Sequence, residues 1–143
     1  MTEAAITGTD GRPLAAKGQR TRARLLEAAE RVFSELGYND ASIVKITEAA
    51  GVGQGTFYLY FQSKAEIFDQ LVRDLNHRVR RAMTEGAQQG KTRIESELFG
   101  FRAFFRFTAE HPALYRIIRQ AEFASPETLQ FHYDRLVEGY VAA

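Results

Sequence analysis

The chain has 143 residues, 45% of them hydrophobic and 26% charged, the proportions of a globular protein with a real core. It contains no cysteine, which excludes a disulfide framework and a thiolate zinc site, and its net charge of +1 by itself says nothing about nucleic acid. No apolar run reaches membrane-spanning length, and the stretch from Met1 to Gly8 lacks the cationic and apolar regions of a signal peptide. The expectation is a cytoplasmic protein without a membrane partner.

Residues 1–19 hold Gly8, Gly11, Pro13 and Gly18 and little to bury, which reads as a flexible basic arm. From Gly11 to Leu26 stand Arg12, Lys17, Arg20, Arg22 and Arg24 with no acid among them, a local charge of +5. Such a stripe is the electrostatic footprint that DNA requires, although a solubilising tail would look the same. Thr21 is placed to cap a first helix with apolar positions at Leu25, Ala28, Ala29, Val32, Phe33 and Leu36, a helical spacing that Gly37 stops.

Asp40-Ala41-Ser42 offers a second cap, and Ile43, Ile46, Ala49 and Ala50 form the inner side of a short helix ended by Gly51. A third short helix opens at Gly53-Gln54-Gly55-Thr56 and runs through Phe57, Tyr58, Leu59, Tyr60 and Phe61. Ser63 caps a long helix from about Lys64 to Ala82, with Ile67, Phe68, Leu71, Leu75 and Val79 facing inward. Gly86 to Gly90 is a break. An aromatic-rich helix from about Thr92 to Glu110 follows, then a short one over about 112–122, then a last helix opened by Ser125-Pro126-Glu127. No strand pattern bounded by turn signals occurs, so the fold class is all-α: a three-helix head at 20–65 and a helical body at 66–143.

Two short helices joined by the tight turn Ala49-Ala50-Gly51-Val52-Gly53 have the form of a helix-turn-helix. In that motif the N-terminal part of the second helix enters the major groove. Gln54 suits a bidentate contact with adenine, and Thr56 a hydroxyl or methyl contact. Gly55 permits close approach of the backbone. Tyr58, Tyr60 and Lys64 suit phosphates, which set register without reading sequence.

The run from Ser42 to Lys64, SIVKITEAAGVGQGTFYLYFQSK, resembles the DNA-binding signature of the tetracycline-repressor (TetR) family, as does its approach from Thr21 through Phe33 to Gly37-Tyr38. The resemblance covers about residues 20–68. It implies a homodimeric repressor whose two heads occupy successive major grooves of a palindromic double-stranded DNA operator, and which a small-molecule effector in the C-terminal body moves apart. By the same resemblance, Ser42 and Lys45 brace phosphates, while Gln54, Gly55, Thr56, Tyr58 and Tyr60 lie on the recognition helix. Lys64 would grip phosphate, and Lys17, Arg20 and Arg22 would form an arm toward the minor groove or backbone. Gly53 stands where the family often has Ser, a loss that costs a helix cap only a few tenths of a kcal/mol. The family's dimer interface usually comes from two further C-terminal helices, and Tyr140-Val141-Ala142-Ala143 carries no C-cap signal, so a body lacking its final dimerisation helices is expected.

Aromatics crowd the body, and singly each is more often core than ligand box. As a group the resemblance turns them toward an effector cavity, with Phe101, Arg102, Phe105, Tyr115, Phe123 and Tyr133 as its expected lining. An apolar or aromatic effector with one polar or acidic end would suit them. No cofactor or metal is expected, since His77, His111 and His132 have no metal-ligand spacing. An enzyme is a poor rival: Gly51-Val52-Gly53-Gln54-Gly55 follows a helix where a dinucleotide loop must follow a strand, and there is no nucleophile elbow. A protein-interaction module leaves the joint presence of Tyr58, Tyr60, Lys64 and the arginine arm unexplained. An activator of the same fold is not separable from a repressor by sequence.

Overall fold

The computed structural model of the chain describes residues 5–141, except for the side chains of residues 122–124, 140 and 141. These residues form seven α-helices and no strand. They divide into two compact units, with the boundary between Leu71 and Val72.

The first unit contains α1 (Ala16–Asp40), α2 (Ile43–Ala50), α3 (Gln54–Tyr58) and the opening turns of α4 (Lys64–Ala87). Helix α1 starts five residues before the expected Thr21 cap. The Thr21 hydroxyl instead donates to the Lys17 carbonyl at 3.1 Å, back-bonding along a helix already under way. Gly37 takes φ +81°, which breaks the helical path and leaves Tyr38 to Asp40 as a separate final turn. Leu25, Ala28, Ala29, Val32 and Phe33 are buried as their spacing predicts, but Leu36 is exposed. Phe33 and Tyr38 meet Phe68 edge-on, both at 5.1 Å between ring centroids, a geometry rings favour over face-to-face stacking.

Residues 6–14, expected to belong to a flexible arm, are folded. Gly8 donates to the Arg12 carbonyl at 3.0 Å and Leu14 to the Ile6 carbonyl at 2.9 Å, closing a small hairpin with a bridge between Thr7 and Pro13. Residues 1–4 of that arm lie outside the described residues.

Helix α3 ends at Tyr58, earlier than the Phe61 that apolar continuity suggests. Beyond it the chain tightens into i→i+3 bonds, Leu59 to Thr56 at 3.2 Å and Tyr60 to Phe57 at 3.0 Å, the usual way a short helix closes. Helix α4 is opened by a reciprocal cap: Ser63 Oγ accepts from the Glu66 amide, and Glu66 reaches back to the Gln62 amide. It runs to Ala87, past the expected Ala82, so the break falls at residues 88–92.

The second unit holds the rest of α4 with α5 (Arg93–Glu110), α6 (Ala113–Ala124) and α7 (Pro126–Val141). Its core is Val72, Leu75 and Val79 with Phe107, Leu114, Ile117, Ile118 and Ala121. Thr92 caps α5 by accepting from the Glu95 amide at 3.1 Å. Buried Asn76 lies 3.1 Å from the Nδ1 of buried His132 and donates to its carbonyl at 3.2 Å, so a polar contact sits inside this apolar unit with its groups paired.

Candidate nucleic-acid interface

Helix α2 is held at both ends. Ser42 Oγ accepts from the Lys45 amide at 3.1 Å, which makes Ser42 a helix cap first. At the other end Gly51 adopts the left-handed conformation (φ 72°, ψ 32°), and Val52 donates to the Thr47 carbonyl at 3.0 Å. Two guanidinium groups from α1 then sit on the last carbonyls: Arg24 Nη2 donates to Ala50 at 2.6 Å and Arg31 Nη2 to Ala49 at 3.2 Å. Positive charge there also opposes the negative end of the helix dipole. In the sequence Arg24 belongs to the basic stripe and Arg31 has no marked role, because neither carries a local sign of a partner 26 or 18 positions away. Ala49, expected inside, is exposed, and Thr47 is buried in its stead.

Helix α3 lies over Phe57 and Phe61, both fully buried as expected. Gln54 and Gly55 are exposed at its N-terminal end, Thr56 is half-buried and Tyr58 is 49% exposed. These four stand together on one short segment. Tyr60 is half-buried beside α1, close enough that a methyl group on Gly18 would meet its hydroxyl at 3.5 Å.

The basic residues separate into two groups. Lys17 and Arg20 are exposed on the opening turns of α1, with no side-chain partner among the described residues. Lys45 is exposed too, with Nζ 3.1 Å from the Asp40 carbonyl. Arg22 is half-buried, donating to Gln70 at 3.3 Å with its guanidinium 5.4 Å from the Phe61 ring centre. Lys64 points its ammonium at the end of α1, 2.7 Å from the Tyr38 carbonyl and 3.1 Å from that of Ala41. Both Arg22 and Lys64 therefore have intramolecular partners where sequence reasoning expects reach toward phosphate.

The model of the bacterial regulatory proteins of the tetR family matches residues 25–71, which take in α2, α3 and the opening turns of α4 but begin after Lys17, Arg20, Arg22 and Arg24. The uncharacterized HTH-type transcriptional regulator YdgC of Bacillus subtilis is 36% identical over 122 residues, 82% of this chain. The chain belongs to the TetR family of transcriptional regulators. That is a family of regulators, not enzymes. The chain spans 61% of the length of YdgC, so the match extends well past the head without reaching the relative's full extent.

Solved TetR-family structures agree over the fold. A regulator from Marinobacter aquaeolei superposes with a TM-score of 0.77 at 25% identity, covering 88% of this chain and 68% of that one. FadR of Bacillus subtilis, solved in complex with stearoyl-CoA, gives 0.69 at 26% identity, covering 84% and 64%.

In the second unit of this TetR-family chain, a cavity of about 580 Å³ opens between α4, α5 and α7. Met83, Ala87, Phe101 and Leu136 supply apolar wall, and Arg80, half-buried, brings a guanidinium without a partner among the described residues. Of the five expected effector residues whose side chains are described, only Phe101 lines it. Phe105 and Tyr115 are each 67% exposed, Tyr133 is exposed, and Arg102 is exposed with its guanidinium 5.2 Å from the Phe99 ring centre. The side chain of Phe123 lies outside the described residues. The helix faces that meet at this cavity present mostly small, aliphatic and charged side chains in place of the expected aromatics. Among the described residues no group of three His, Asp or Glu is arranged to hold a metal, and no helix is long and apolar enough to cross a membrane.

Proposed function

We propose that this chain is the DNA-reading part of a transcriptional repressor that binds a palindromic operator as a homodimer and leaves it when a small effector occupies the body. The observation that carries the reading is the pairing of an exposed Gln54-Gly55 edge, continued by half-buried Thr56, with a fully buried Phe57 and Phe61 directly beneath it. A helix held rigidly from below with hydrogen-bonding groups on top is what base readout in a major groove requires. Lys17, Arg20 and Lys45 provide exposed positive charge on the same unit for phosphate.

The effector is an apolar chain or ring with an anionic end. The cavity volume lies inside the range of about 300–1,000 Å³ usual for small-molecule sites, and of its two lining cations Arg93 is paired with Glu97 at 3.2 Å, which leaves Arg80 to meet an anion. The stearoyl-CoA held by the related FadR is a molecule of that class. Removal from DNA follows if the bound form of the body disfavours the spacing of two heads on their operator.

Selection from a random duplex library at moderate salt tests this. A palindrome with half-sites about 34–36 Å apart, or a multiple of that, supports a symmetric dimer reading successive grooves. Retention without a consensus removes the base-reading role from α3.

A further inference from the structure

We infer that the hairpin of residues 6–14 is a clamp on the recognition helix, and that Thr9 is the positioning residue that fixes the angle at which α3 meets DNA. The Thr9 amide donates to the Leu59 carbonyl at 3.0 Å. Its hydroxyl lies 3.0 Å from the Tyr58 carbonyl and 3.2 Å from that of Leu59, so one proton is shared between two acceptors. The fit is close: a methyl group on Gly8 would come within 3.1 Å of the same Leu59 oxygen.

Helix α3 needs such a partner. Five residues are far too few for a helix to persist on its own propensity. Its N-cap, Gly53, supplies no side-chain bond, so the N-terminal end carries Gln54 and Thr56 with nothing fastened above them. Phe57 and Phe61 hold the underside by burial. The last carbonyls of a helix have no partner within it, and here a segment about 50 positions earlier in the chain fills them. The hairpin is itself stiffened where Gly11 takes φ +77° and donates to the Gly8 carbonyl at 3.0 Å, and where Asp10 accepts from the Arg12 amide at 3.0 Å. The clamp leads straight into α1, so the helix that carries Lys17 and Arg20 is joined through the hairpin to the C-terminal end of the helix that carries Gln54.

The inference rests on the DNA-reading function proposed above, and the test separates the two. The full chain is compared with Thr9→Val, which removes the hydroxyl, and Thr9→Pro, which removes hydroxyl and amide donor; neither changes charge. Without DNA, amide exchange should show Tyr60 and Phe61 less protected in both variants, and the Thr9 amide protected in the parent. On DNA, the ratio of affinities for the selected duplex and a random one should fall about three- to tenfold in Thr9→Val, the scale of one ordinary hydrogen bond, and further in Thr9→Pro. Random-duplex affinity should stay within error for Thr9→Val, and its melting temperature should fall by no more than the loss of one hydrogen bond implies. A Thr9 amide that exchanges like a free peptide overturns the clamp, and so does an unchanged ratio. An equal loss on both duplexes makes the hairpin a phosphate contact. A parent that fails to prefer its selected duplex overturns the DNA-reading function itself, while the exchange data still report on the clamp.

Discussion

Lys64 rests on the ring of Tyr38, its ammonium 4.4 Å from the ring centre, and donates to the carbonyl of that same residue at 2.7 Å. The first residue of α4 is thereby tied to the last turn of α1, on the far side of the Gly37 break. A cation over a ring and a charge-assisted hydrogen bond act on one ammonium, and the Ala41 carbonyl takes a second of its protons. Replacing Lys64 with Ala should lower the stability of the chain by about 1–3 kcal/mol, the range for losing hydrogen bonds to a charged group. Urea unfolding measures it. A variant with parental stability and weakened DNA binding would return Lys64 to a phosphate role alone.

Base reading and phosphate binding predict different signatures on the head. Gln54→Ala or Thr56→Ala should cost about 1–3 kcal/mol on the selected duplex and almost nothing on a random one. Lys17→Ala or Arg20→Ala should weaken both alike and reduce the slope of log affinity against log salt by about one. Titrations of both duplexes at three salt concentrations distinguish them, and a parallel loss for Gln54→Ala counts against base contact.

Arg80→Ala should abolish discrimination between an acyl-CoA and an uncharged ester of the same chain length, while a Phe101→Ala variant should weaken both. Calorimetry with octanoyl-CoA and ethyl octanoate reads this directly. Equal binding of the two ligands by the parent chain would exclude Arg80 as an anion anchor.

Helices α4 and α5 approach closely at Gly86, where a methyl group would lie 2.6 Å from the Phe99 carbonyl oxygen and 2.8 Å from the Ala103 side chain. Gly86→Ala therefore forces backbone apart despite the better helix propensity of alanine. Overpacking of this kind costs about 1–3 kcal/mol, against the roughly 1 kcal/mol that the propensity returns. Thermal unfolding should show a net loss, and a gain in melting temperature would mean that the helices separate freely.

Burial lowers the pKa of His132 from its ordinary 6.5, because the charged ring would lose its hydration. With the Asn76 amide donating, Nδ1 is the acceptor and the neutral ring carries its proton on Nε2. The unfolded chain takes up a proton before the native one does. The stability that neutral His132 supplies is thus complete above about pH 6.5 and is lost as pH falls from there through the lowered native value. Unfolding free energies from pH 8 to pH 5 should decline over that interval in the parent and decline less in His132→Gln. Matching curves would place the titration elsewhere.

The helices, the Gly51 turn and the inward set Phe57, Phe61, Ile67 and Phe68 were legible in the sequence, because a helix writes its buried face into residues three and four apart and a left-handed turn demands glycine. The same local logic located Ser42 and Ser63 as caps, each acting on an amide three positions away. It could not reach interactions between distant parts of the chain. Arg24 on the Ala50 carbonyl, Lys64 on Tyr38 and Thr9 on Tyr58 and Leu59 all join a side chain to a backbone oxygen, and every residue type offers that oxygen equally. No pattern of residue types can therefore announce them. The cavity is a further case: Arg80 and Leu136 become neighbours of Phe101 only when three helices cross, and the aromatics that suggested a pocket mostly turn outward. Periodicity sets which face of a helix is buried; which face of the next helix it meets, and what lines the gap left between them, is decided by the packing itself.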